Sequence, residues 1–416
     1  EDPCLNVMPL FHIHGLVAAL LASLEAGGSV VCGPGFIAPS FFDSMADLRP
    51  TWYTAVPTMH ASIVARAPAN RTTIDSHSLR FIRSSSSALP RSTLAQLEEI
   101  FRVPVVEAYG MTEAAHQMAS NPLPPGVRKP GTVGRAAGPA ISVLNSEGQP
   151  APAGVRGEVA IKGPNVTAGY ASNPGANAAA FINGWLRTGD EGILDEDGYL
   201  TILGRLKEVI NRGGEKISPL EVDEVLMAHP AVAQAITFAA SDAVLGEEVA
   251  AALVLRSGMA VTERQIREFV AIRLAHFKVP RRVLFVESIP AGPTGKPQRI
   301  GMAERLGVSF EAPAPSAAKY VAPRSPVEEI LVSVWSSVMA TRPPGVEDNF
   351  FYAGGDSMLA AQFVTRVRDT LAVEISLLAF FDSPTVAGLA AIVEEAMAAE
   401  SSPAESGGPM NAGRLA

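Results

Sequence analysis

Five short stretches of this chain combine residue types that could do chemistry. Tyr109-Gly110-Met111-Thr112-Glu113 places a ring, a hydroxyl and a carboxylate close together. The ring can stack on a base, the hydroxyl can bond a phosphate oxygen, and a carboxylate is the hard oxygen donor that Mg²⁺ accepts. The same residues also read as a strand leaving a core through a Gly turn into a capped helix. Trp185-Leu186-Arg187-Thr188-Gly189-Asp190 ends in a carboxylate that could accept two ribose hydroxyls, or in an ordinary turn Asp. Gly204-Arg205-Leu206-Lys207 falls at a composition change, where charges are either simply solvated or serve a nucleotide and a hinge. Pro293-Thr294-Gly295-Lys296-Pro297 offers a Lys on a tight loop, either a surface turn or a cation for charge developing on phosphorus. Gly354-Gly355-Asp356-Ser357 sets a Ser at a helix start behind a Gly pair. That position suits a phosphate-linked arm or a plain N-cap. No Gly-x-Ser-x-Gly surrounds Ser357, so esterase chemistry is set aside.

The elements that must position these residues fall into three units. From 1 to 203, short apolar runs alternate with Gly- and Pro-rich turns, which predicts a layered α/β domain. Val159 and Ile161 alternate with polar partners as in a strand, and so do residues 199–203. From 204 to 309 we expect a small α/β domain. Its first helix starts at Ser218-Pro219, with Glu221 completing a capping box, and its strands lie near 231–238, 249–255 and 283–286. Residues 310–324, with Ala312-Pro313-Ala314-Pro315, read as a semi-extended linker. From 325 to 398 we expect a helix bundle. Ser325-Pro326-Val327-Glu328 is a capping box, Leu359, Phe363, Val367 and Leu371 form an i, i+4 stripe, and Ser383-Pro384 starts the last helix. The tail, 399–416, is rich in Ser, Pro, Gly and Ala and is expected to be disordered.

Composition excludes several classes. The chain has 416 residues, 47% hydrophobic and 18% charged, enough to pack cores. Its net charge of −9 and the lack of a basic stripe argue against nucleic acid. Two cysteines, Cys4 and Cys32, make no disulfide framework or zinc motif and fit a reducing, cytoplasmic setting. The longest apolar run, Leu16 to Leu24, ends at Glu25, short of the roughly 20 residues that span a bilayer. The chain opens at Glu1 inside what already reads as a folded domain, so its N-terminal targeting is not legible.

Taken together and in this order, Pro9-Leu10-Phe11-His12, Tyr109-Gly110-Met111-Thr112-Glu113, Arg187-Thr188-Gly189-Asp190, Gly204-Arg205-Leu206-Lys207 and Thr294-Gly295-Lys296 resemble the motif series of the adenylate-forming superfamily. That group includes acyl-CoA synthetases, nonribosomal adenylation domains and luciferases. The resemblance runs from residue 1 to about 309, and residues 325–398 resemble an acyl or peptidyl carrier domain. It implies ATP/AMP, Mg²⁺ and CoA as ligands, and 4'-phosphopantetheine on Ser357. Tyr109 is then expected against adenine, Thr112 at phosphate, Glu113 at Mg²⁺, and Asp190 with Arg205 at the ribose. Lys207 is expected as the hinge, Lys296 as the adenylation catalyst, and Gly213 with Gly214 along the thiol tunnel. A carboxylate would attack the α-phosphate, releasing pyrophosphate, and a thiol would then take the acyl group.

The stretches 107–125 and 210–219 are similar to the oxalate–CoA ligase branch in particular. A small diacid needs partners for its second carboxylate, and His12, His14, His116 and the Ser84–Ser87 run, above all Ser86 and Ser87, can supply them. The other reading makes these polar wall residues for a different small acid. Phe11-His12-Ile13-His14 lacks the Asp with which amino-acid adenylation domains hold an amino group. Expected partners are a small carboxylic acid, CoA, a phosphopantetheinyl transferase and downstream acyl-accepting enzymes. A nonribosomal adenylation–carrier module and a scaffold with a dead ligase half stay open. Two substitutions depart from the pattern, Pro297 after the lysine and Met358 after the carrier serine. The family's Gly/Ser/Thr-rich phosphate loop is absent, so we expect residues 1–416 alone to adenylate poorly or not at all.

Overall fold

The computed structural model describes residues 2–33, 35–242, 245–291, 297–310, 320–339, 341–350, 353, 355 and 357–401. Two compact units divide the chain, Glu1–Leu274 with Lys278–Phe310, and Ala275–Phe277 with Glu311–Ala416.

Three sheets build the first unit. In the first, β1 (Pro3–Asn6), β2 (Ser29–Cys32), β3 (Trp52–Ala55), β4 (Phe81–Ser84), β5 (Val105–Met111), β6 (His116–Ser120) and β7 (Arg135–Ala136) lie in the order β2-β1-β3-β4-β5-β6-β7. Strands β2 to β5 run parallel, while β6 and β7 are antiparallel. Parallel strands are covered on both faces, which is why all four residues of β3 are buried. Helices Phe41–Leu48, Pro57–Arg66 and Arg91–Phe101 cover one face, with Phe42, Tyr53, Ile63, Ile82, Leu97 and Phe101 in the shared core. A helix leads in from the Phe11-His12 stretch. Over His14–Leu21 it is wound as a π-helix, with the Ala22 N–H reaching the Val17 carbonyl.

The second sheet is antiparallel. It comprises β8 (Ala140–Leu144), β9 (Gly157–Lys162), β10 (Phe181–Ile182), β11 (Trp185–Leu194) and β12 (Leu200–Arg205). The third contains β13 (Ile210–Arg212), β14 (Glu215–Ile217), β15 (Val232–Asp242), β16 (Gly246–Leu255) and β17 (Arg282–Phe285). β15 continues to Asp242, past the expected end at 238. Ala239 to Asp242 carries little intrinsic strand preference and is held by pairing with Gly246–Val249.

Helix Pro219–Met227 starts where the sequence predicts, but its capping box does not form. The Ser218 hydroxyl donates instead to the Leu203 carbonyl, and Glu221 is taken by Lys278 at 2.6 Å. A true capping box occurs at Thr262 and Gln265, ahead of helix Glu263–Ala271, which our sequence reading left unassigned.

The second unit holds helices Pro326–Met339, Ser357–Leu371, Leu377–Asp382 and Val386–Ser401. Trp335, Phe350, Phe363 and Phe380 meet edge-to-face or tilted at its centre, with centroids 4.8 to 6.4 Å apart. Two capping expectations are corrected. The Ser325 hydroxyl accepts the Glu328 N–H at 3.3 Å, but the Glu328 carboxylate turns to the Arg324 N–H and guanidinium rather than closing the box. The last helix is capped by Thr385, whose hydroxyl accepts the Gly388 N–H at 3.1 Å, two residues beyond the expected Ser383.

Candidate active site

The nucleotide-type residues converge where the first sheet meets the second. β5 carries Tyr109 and then turns through Thr112–Ala114 directly into antiparallel β6. The Gly turn therefore leads to a 3₁₀ turn and a strand, not to a capped helix. Gly110 is required by close approach, since a Cβ there would lie 1.6 Å from the His116 carbonyl oxygen. β11 and β12 pair antiparallel with Asp190 opposite Arg205. The Tyr109 hydroxyl donates to Asp190 Oδ2, and Arg205 Nε stands 3.1 Å from Oδ1. The Thr188 hydroxyl accepts the Asp190 N–H at 3.1 Å. Burial, then the Asp190 charge beside it, pushes the Tyr109 phenol well above its ordinary range, so it stays a neutral donor. The sequence separates these three residues by up to 96 positions, and the sheet brings them together.

Thr112 is exposed at the turn, and Glu113, half-buried, accepts from the Tyr170 hydroxyl at 3.0 Å. The Tyr170 backbone is held on both sides by the Asn177 amide. Two residues before Tyr109, Glu107 is buried in β5 and its carboxylate accepts the Gly131 N–H at 3.1 Å. Burial pushes its carboxyl up to about 7. Tyr170 and Glu107 were not singled out from the sequence as site residues; only their long-range contacts mark them.

A second cluster is built from His14, Ser86 and His116. His14 is fully buried, with Nδ1 3.0 Å from Ser86 Oγ and Nε2 2.6 Å from Thr54 Oγ1. The His14 and His116 rings are 5.2 Å apart and tilted. Ser86 holds a positive φ of 76°, which aims its hydroxyl away from the line of β4. Thr54 was missed because it sits inside the apolar run of β3 and reads as core. His12 meets this cluster through the His14 backbone. His12 Nδ1 accepts the His14 N–H at 3.2 Å, and Ser87 is exposed.

Lys207 is exposed in the short turn Leu206–Glu208. Gly213 and Gly214 form the two-residue turn between β13 and β14, both with positive φ. Lys296, with Thr294 and Gly295, lies outside the described residues, as do Gly354 and Asp356, the linker residues 311–319 and the tail 402–416; Ala291 and Pro297 pair across the lysine segment. Ser357 begins helix Ser357–Leu371. Just before it, Gly355 is pressed on Phe350, where a Cβ would lie 2.2 Å from the ring.

Family models match in three places. Residues 1–171 match an AMP-binding enzyme, 221–296 an AMP-binding enzyme C-terminal domain, and 329–393 a phosphopantetheine attachment site. An oxalate–CoA ligase of Arabidopsis thaliana is 50% identical over 302 residues, 72% of this chain and 59% of that protein. This chain belongs to the adenylate-forming superfamily and carries a phosphopantetheine-attachment domain. A sulfoacetate–CoA ligase of Cupriavidus necator is 40% identical over 304 residues, 72% of this chain and 58% of that protein. Among solved structures, ATP-bound MatB from Rhodopseudomonas palustris superposes with a TM-score of 0.68 at 32% identity, covering 73% of this chain and 60% of that one. The chain thus spans about three-fifths of the length of these relatives.

Among the described residues, no group of three or more His, Cys, Asp or Glu side chains could hold a metal ion. Mg²⁺ keeps its waters and is commonly held by one or two carboxylates together with phosphates. Glu113 is a carboxylate of that kind. Among the described residues no helix is long and apolar enough to cross a membrane.

Proposed function

We propose that this protein activates a small, doubly anionic carboxylic acid as its acyl-adenylate and passes the acyl group to a thiol. The observation that carries the reading is the Tyr109–Asp190–Arg205 chain at the junction of two sheets. Asp190 is nearly buried, receives a phenol and a guanidinium, and has a carboxylate edge suited to paired hydroxyls such as those of a ribose. Tyr109 offers a ring beside it for the base. Thr112 would donate to phosphate, and Glu113 would hold Mg²⁺, which neutralises phosphate charge. Lys296 is the proposed cation for the α-phosphate as it gains a fifth oxygen during attack by the acid.

The acid itself belongs near His14. A histidine held between two hydroxyls orients Ser86, whose hydroxyl, accepting from the imidazole, is left to donate to an anion beside His116. Oxalate and sulfoacetate, the acids named in two relatives, both carry a second anionic group on a two-carbon frame. Oxalate is the favoured substrate.

For the second half-reaction, Lys207 is the proposed hinge, and the Gly213–Gly214 turn lets a pantetheine thiol approach the backbone closely. Ser357, at the start of a helix anchored through Gly355 and Phe350, is the proposed attachment serine, and a phosphopantetheine arm there would supply a thiol. CoA and this arm are both proposed acceptors, with a phosphopantetheinyl transferase as partner.

Pyrophosphate release from the full-length protein with oxalate, sulfoacetate, malonate, acetate and a set of amino acids tests the proposal. Release with the dianionic acids above all supports it. Release with amino acids alone would favour a nonribosomal-type module, and none with any acid, despite normal modification of Ser357, a scaffold.

A further inference from the structure

The turn proposed as the hinge is bracketed by two ion pairs that face opposite ways. On its N-terminal side Arg205, the last residue of β12, pairs with Asp190 of β11 at 3.1 Å, which fastens it to the second sheet. On its C-terminal side Glu208 pairs with Arg299 at 3.3 Å. Arg299 is itself fixed to the third-sheet domain. Its Nη2 meets Asp223 Oδ2 of helix Pro219–Met227 at 2.6 Å, and its Nη1 donates to the Thr237 carbonyl of β15 at 2.8 Å. Asp223 also accepts the Thr237 N–H at 2.6 Å, so helix, strand and guanidinium form one node. Arg299 is 14% exposed and Glu208 23%, so solvent screens this pair only in part.

Asp223 alone would neutralise Arg299. Glu208 adds a second carboxylate to a cation already paired, and the only element this ties down is the turn. Between the two pairs stand Leu206 and Lys207, both exposed. We propose that Glu208 and Arg299 clamp the turning side of the pivot, opposite Arg205 and Asp190 on the stationary side, so that rotation is confined to Leu206 and Lys207. This rests on the reading of Lys207 as the hinge. Arg299 is thus a positioning residue, acting through the pivot.

The test is hydrogen–deuterium exchange on the full chain, which needs no turnover. Glu208→Gln should speed exchange of the amides at 207–211 about 2- to 5-fold, as expected for loss of a partly exposed ion pair. Thermal unfolding and exchange in β15 should stay at wild-type values. Arg299→Lys, which can still reach Asp223, should give the same local acceleration, and the double variant should be no faster than either single one. Wild-type exchange at 207–211 in Glu208→Gln overturns the clamp, as does acceleration spread equally through β15. If Arg299→Lys does not fold, Glu208→Gln alone decides. Failure of every acid to release pyrophosphate, with the exchange result as expected, counts against the enzymatic reading and leaves the clamp standing.

Discussion

Replacing Glu107 by Gln should change the pH dependence of stability in a defined direction. Glu107 is buried in the strand that carries Tyr109, with Arg91 and Arg128 nearby and Glu224 opposing them. Its carboxyl ionises near 7 instead of 4.5, chiefly because burial disfavours the anion. The folded protein therefore holds this proton to higher pH than the unfolded chain does. Between those two values the unfolded state binds fewer protons, so stability falls as pH rises through the window and levels off above about 7. The full penalty is on the order of 3 kcal/mol. Gln keeps the shape and an oxygen for the Gly131 N–H but cannot ionise. In scanning calorimetry at pH 5 to 8, the first-unit transition of Glu107→Gln should lie close to wild type at pH 5. By pH 8 it should lie higher by roughly 5 °C, at about 1.5 °C per kcal/mol for a unit of roughly 300 residues. Parallel profiles for the two proteins would refute the assignment of a buried, protonated carboxyl.

Three further outcomes are expected in the full-length protein. Lys296→Ala should abolish pyrophosphate release while leaving thioester formation from supplied acyl-adenylate largely intact, and equal loss of both steps would contradict its role. Ser357→Ala should remove the mass gain on incubation with a phosphopantetheinyl transferase; an undiminished gain would place the arm elsewhere. His14→Ala, which releases the Ser86 hydroxyl it orients, should raise KM for oxalate roughly 10-fold, with less effect on acetate. Equal effects on both acids would remove His14 from second-anion recognition.

Much of the first unit's framework was legible because its signals are local. Val159 and Ile161 mark β9, and Pro219 fixes a helix start. The motifs around Tyr109, Asp190 and Arg205 were legible as pieces, but their joining through one hydroxyl and one carboxylate is a product of strand pairing. What the sequence hid is what side chains do at a distance. Ser218 reads as a cap, yet its hydroxyl finds the Leu203 carbonyl, a partner 15 residues away. Thr54 reads as core because three of its strand neighbours are apolar, though it holds His14. Arg299 reads as one more surface charge, and only the fold gives it Asp223 and Glu208. In the second unit, Leu359, Phe363 and Val367 announced a buried stripe, whereas the Phe350 contact beneath Gly355 depends on a loop with no periodicity.

The winding of the His14–Leu21 helix bears on how this pocket can be altered. A π-helix spaces its hydrogen bonds five residues apart, so its turns hold more residues than those of an α-helix. His14 stands at the first residue of that stretch, facing Thr54 and Ser86, while Ala19 at its far end packs with Cys4 and Trp52. Removing one residue between 15 and 18 would let the segment relax to α winding with Ala19 still seated. Five residues of π winding and four of α winding turn through nearly the same angle, so His14 would stay between its two hydroxyls. The position of His14 is therefore insensitive to one residue of helix length, and the π stretch is a place where the chain can shorten without moving it.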